Sequence, residues 1–166
     1  MATRNGFTLE IAMRGSSISS TAGVSGAVAT LDQRISRSWE QGTGAGEVDK
    51  VFQDDLTVST SATDLDLAGG SNVKDPASQA DQTFTRLHGL VVENRGSVNL
   101  TIMGDANSAP IFDAAADSIT LAPGQVFTYS AESNTDGVTV TAGTGDIVQL
   151  VAASSTTTAR VTMWGR

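Results

Sequence analysis

From Val48 to the C-terminus the chain repeats one local pattern. Apolar and polar residues alternate for a few positions, and then a cluster of Gly, Asn, Asp, Ser or Pro interrupts them. Alternation with a period of two gives a strand with one buried face, and regularly spaced turn signals between such strands are the mark of an antiparallel all-β domain. "LTVS" puts Leu56 and Val58 on one face, and "TDLDLAGG" sets Leu65 and Leu67 against Asp64 and Asp66 before a Gly69-Gly70 stop. "FTRLHGLVVEN" is long and apolar towards its end, as a central strand is, and "SVNLTIMG" turns Val98, Leu100 and Ile102 inward. "ITL", "VFTYSA", "VTVTAG", "IVQLVAA" and "ARVTMWG" continue the series. The expectation is an antiparallel β-sandwich, specifically a jelly roll of two facing four-stranded sheets.

One turn in that series is specified in detail. In Ala122-Pro123-Gly124-Gln125, proline at the second position presets φ and glycine at the third accepts a positive φ, so a type II turn is predicted. Type II geometry fits a tight two-residue hairpin poorly, so the turn belongs in a longer hairpin or at a corner between two sheets.

The first 46 residues differ. "FTLEIAM" alternates Phe7, Leu9, Ile11 and Met13 against Thr8, Glu10 and Ala12 and reads as a half-buried strand. "RGSSISSTAGVSGAVAT" is small and polar, as a linker or extended arm would be, and "LDQRISRSWEQ" spaces Leu31, Ile35 and Trp39 four apart, which suits one or two helical turns. "GTGAGE" then breaks the chain. The division expected is an N-terminal strand, arm and linker over 1–46 and a β-sandwich body over 47–166.

Composition narrows the function classes. Hydrophobic residues make up 39% and aromatics 5%, and there is no cysteine, so disulfides and thiolate metal sites are excluded. The net charge is -8, yet residues 1–46 hold Arg4, Arg14, Arg34 and Arg37 against Glu10, Asp32 and Glu40, leaving the excess of acid in the body. An acidic body repels phosphate backbones, so nucleic acid is not an expected partner. No apolar run reaches the length of a membrane span and no secretion signal opens the chain, so synthesis in a cytoplasm and no membrane contact are expected.

Chemistry-bearing motifs are scarce. His88 is the single histidine and lies inside a predicted strand. Asp54 and Asp55 are adjacent, so on a strand they point to opposite faces, while Asp64 and Asp66 form the solvated side of an amphipathic strand. The glycines of "GTGAGE" lack the lysine and hydroxyl of a phosphate loop, and "NLT" at Asn99 has no secretory context. No catalytic residue, cofactor or metal is expected. Trp39 has no evident core of its own and Trp164 falls at a core edge or subunit contact. The residues expected at a partner interface are therefore Arg34, Ile35, Arg37, Trp39 and Trp164.

Taken in order, Leu65-Asp66-Leu67 with Gly69-Gly70, Leu90-Val91-Val92-Glu93-Asn94, Pro123-Gly124 and the run Val140 to Asp146 resemble small β-rich virion proteins of tailed bacteriophages, over about residues 48–166. The resemblance implies a structural protein of the decoration or cement type, bridging capsomers on the outer capsid surface. Its partners would be the major capsid protein and copies of itself, as a homotrimer at three-fold positions. It implies no catalytic residues. A tail, baseplate or head-fibre protein is the alternative, and a glycan-binding module a more distant one, because 2 Trp and 1 Tyr make a poor stacking platform.

Overall fold

The computed structural model describes residues 7–18, 28–69, 72–104, 106–112, 117–131 and 136–166. Gly70 and most of the "DAAADS" and "ESNTDG" loops lie outside them, as does the middle of the small polar stretch after Ile18. Among the described residues there are strands and turns and no helix.

The N-terminal segment is a β-hairpin. β1 (Phe7–Ile18) and β2 (Val28–Trp39) pair antiparallel along their whole length, from Phe7 opposite Trp39 to Ile18 opposite Val28. Two expectations are corrected here. The small polar stretch supplies strand as well as connection, and the segment around Leu31, Ile35 and Trp39 is strand and not helical turns. The reason is arithmetic: a spacing of four satisfies a helix, but being even it also keeps all three residues on one face of a strand. The β-branched Val28, Thr30 and Ile35 then favour the extended form.

The body contains β3 (Lys50–Val58), β4 (Thr63–Asp66), β5 (Arg86–Asn94), β6 (Leu100–Met103), β7 (Ser118–Leu121), β8 (Val126–Ser130), β9 (Val138–Thr139), β10 (Ile147–Ala152) and β11 (Thr157–Gly165). One sheet runs β4-β10-β6-β7 and the other β3-β11-β5-β8, with β9 also on β5. The pairings between these strands are antiparallel, and they nest: β3 with β11, β4 with β10, β5 with β8, β6 with β7. Alternation along each strand turns Val148, Leu150 and Ala152 of β10, Leu100 and Ile102 of β6, Leu90 and Val92 of β5 and Ala159, Val161 and Met163 of β11 into one shared core. The two sheets therefore face each other across it.

The Pro-Gly turn is the corner between these sheets. Gln125 N–H donates to Ala122 O at 3.0 Å and Gly124 has φ +80°, the type II arrangement expected, and the turn carries the chain from β7 in one sheet to β8 in the other. Asn94 holds it from beneath. Its backbone exchanges hydrogen bonds with Gly124 and Gln125. Its buried amide donates to Val98 O and Leu121 O, and its side-chain oxygen accepts from Thr157 Oγ1 and Gly96 N–H. The ends of β5 and β7 and the start of β11 meet at this one side chain.

β5 also departs from simple alternation. Leu87 and Leu90 are three apart yet both line the core, because the pairing with β11 slips at His88: Trp164 lies opposite Gly89 and Gly165 opposite Leu87. His88 is the extra residue of a β-bulge.

Candidate interaction surface

The hairpin meets the body at a joint built on the outer side of the β3-β11-β5-β8 sheet. Met163 points into the core, so Trp164, next along β11, points away from it. Its indole lies over Gly89, where a Cβ would come 1.9 Å from the ring. Only glycine lets the ring lie this close to the backbone. Trp39, at the end of β2, packs on Trp164 with centroids 5.4 Å apart and planes tilted by 59°. Val48 completes the cluster, and Leu9, Val51 and Val91 pack around it.

The glycine-rich break beside this cluster is a folded loop. Gly42 N–H donates to Val48 O and Val48 N–H to Glu40 O, drawing residues 40 and 48 together. The Glu47 carboxylate folds inward and accepts from Gly44 N–H at 2.8 Å. It lies 1.9 Å from where Gly42 would carry a Cβ, so a side chain there would displace the carboxylate. Arg166 then fastens the loop to the body by donating from Nη1 to Thr43 O at 3.0 Å.

The same Arg166 donates to Asp136 from Nε and Nη2, at 3.1 and 2.6 Å, and Arg86 Nε lies 3.2 Å from the other carboxylate oxygen. The hydrogen bonds from Arg166, and then the two guanidinium charges, hold the Asp136 carboxyl below the usual carboxylate range. His88 sits beside this group with its side chain fully buried and neither ring nitrogen paired. Burial pushes its pKa down, Asp136 pulls the other way, and Arg166 and Arg86 add to the lowering.

The interface residues expected from sequence divide in two. Trp39 is 2% exposed and Trp164 0%, and both lie in the core of the joint, which for Trp164 is the core-edge placement of the two alternatives expected. The intramolecular partner that sequence reasoning missed for Trp39 lies at the far end of the chain. Its only sequence signal is Gly89, a glycine in the middle of an apolar strand, which marks a close approach. Arg34, Ile35 and Arg37 remain on the hairpin. Arg34 pairs with Glu10 at 2.5 Å, Arg37 is half-buried opposite Leu9, and Ile35 is 40% exposed.

Other candidate groups are spent on structure. Asp55 accepts a two-pronged guanidinium from Arg160, whose hydrogen bonds lower its pKa, and Arg95 links Asp55 to Glu93. Asp64 accepts from Gln149 and Asp66 from Ala68 N–H, while Leu65 and Leu67 enter the core. Among the described residues no three metal-ligating side chains converge, and no helix is long and apolar enough to cross a membrane. Comparison with known proteins gives no match to any family model, curated protein or solved structure.

Proposed function

We propose that this chain is a non-enzymatic virion structural protein of a tailed bacteriophage. In this reading it is a decoration or cement protein, made in the host cytoplasm and assembled as a homotrimer on the outer capsid surface against the major capsid protein. The observation that carries the reading is the joint. A protein that bridges capsomers needs an arm that leaves its body in a defined direction, and the Trp39–Trp164 cluster with the Glu47 loop supplies a packed base for such an arm. Many weak arm contacts then add through effective concentration on a shell. The body fits the same role. Its nested strand order is the one obtained by rolling up an antiparallel ribbon whose first strand lies beside its last, which supports a jelly roll.

Quantitative mass spectrometry of purified virions from the encoding phage tests this directly. Copies in number comparable to the major capsid protein are expected. A handful per particle would move the chain to the tail, baseplate or a head fibre, and none would sink the virion reading altogether.

A further inference from the structure

The hairpin has a surface that the body does not cover. Among the described residues β1 and β2 pair with each other and with no third strand. A lone two-stranded hairpin is marginal in water. Register and alternation sort its residues sharply. One face takes the positions of Leu9, Ile11 and Met13 opposite Arg37, Ile35 and Gln33, with Leu31 beyond, and the other takes Glu10, Ala12 and Arg14 opposite Ser36, Arg34 and Asp32. The base of the first face rests on the body through Leu9 and Trp39, and further out Ile35 stands exposed.

We infer that this face docks on the same face of another copy of the chain, hairpin against hairpin. Charge selects that occupant. Over residues 7–40 the arginines Arg14, Arg34 and Arg37 balance Glu10, Asp32 and Glu40, whereas the whole chain carries -8. Two acidic bodies repel, and the neutral hairpin is where two copies approach without that penalty. On its polar face Arg34 pairs with Glu10, so that guanidinium is already matched within the hairpin. Self-stacking brings the exposed Ile35 of one copy against that of the next.

Area sets the strength. Strands of 12 residues rising about 3.4 Å per residue, two of them about 4.8 Å apart, make a face of roughly 400 Å2. Because the base of each face rests on its own body, a stacked pair covers less than about 800 Å2, short of the ~1,200 Å2 at which stable specific interfaces begin. The contact is therefore weak for a single pair, dependent on concentration, and suited to many copies held close together. This deepens the oligomeric part of the function proposed above without needing a virion.

Analytical ultracentrifugation of the full-length chain, between about 1 and 500 µM, tests it with two substitutions that add the same charge to opposite faces. The parent and Ser36→Lys should associate reversibly to the same extent, and Ile35→Lys should associate at least about tenfold more weakly. All three should melt alike, since both positions are exposed. A parent that stays monomeric throughout overturns the inference and reserves the face for a different protein, and so does an Ile35→Lys variant that associates like the parent. The two proposals fail separately. Self-association in a chain absent from virions sinks only the functional reading, and a monomer abundant on shells sinks only this one.

Discussion

His88 is the residue whose environment contradicts its chemistry most plainly. An imidazole that is fully buried, with both nitrogens unpaired and two arginines nearby, holds a proton less readily than it does in the unfolded chain. Because the folded pKa is lowered, the unfolded state binds more protons as pH falls through the ordinary imidazole range near 6.5, and stability falls with it. The contribution is complete above that range and is lost from about pH 6.5 downward. The carboxylates with lowered pKa values, Asp55, Asp75 and Asp136, act in a separate and more acid window, below about pH 4. Denaturant melts of the parent should therefore weaken between about pH 7 and 5. His88→Leu should flatten that slope and be no less stable than the parent at pH 8, because it removes buried polar atoms that have no partners. A slope unchanged in His88→Leu would show that another group titrates there. His88 itself was legible in the sequence only as a histidine on a strand. The bulge that buries it was visible in Leu87 and Leu90, two core residues at an odd spacing, but only once the partner register on β11 is known.

At the scale of elements, the chain has strands of two kinds. β5 and β11 lie inside a sheet, each with a neighbour on both sides, whereas β1 and β2 have only each other. Backbone amides open most easily where few neighbours hold them. Hydrogen exchange at low protein concentration should find peptides within 28–39 at least about a hundredfold faster than peptides within 157–165. Equal protection would mean that the hairpin has a partner even when dilute. The body strands were readable from alternation alone, and so was the type II corner, because proline and glycine act locally on φ. The hairpin was half readable. "FTLEIAM" has an unambiguous period of two, but in Leu31-x-x-x-Ile35-x-x-x-Trp39 an even spacing serves helix and strand equally, and the polar Gln33 and Arg37 between them hid the shorter period. What decides is pairing with β1, a contact across 32 positions between Phe7 and Trp39 and across 10 between Ile18 and Val28, which no local pattern encodes.

The whole molecule is organised by contacts that join the two ends of the body. β3 opens it and β11 closes it, yet they pair along nine residues, and β11 is the inner strand between β3 and β5. Removing 157–166 therefore takes away the middle of a sheet, the Asn94–Thr157 hydrogen bond and the Trp164 seat together. That truncation should abolish the cooperative thermal transition, while removal of residues 1–34, which leaves Trp39 on Trp164, should retain it. Circular dichroism melts of the two would check this, and a cooperative melt without β11 would refute the nested order. Such an order is the part of the fold least visible in sequence, since alternation reports which face a strand buries and never which strand lies beside it. The same remoteness hid the joint, where the ring that covers Trp39 belongs to the last strand. It also has a practical meaning. The chain has only two tryptophans, and both are in that cluster. Intrinsic indole emission thus reports on the junction alone, so a red shift on heating, on acidification or on assembly would record the arm parting from its seat, without any label.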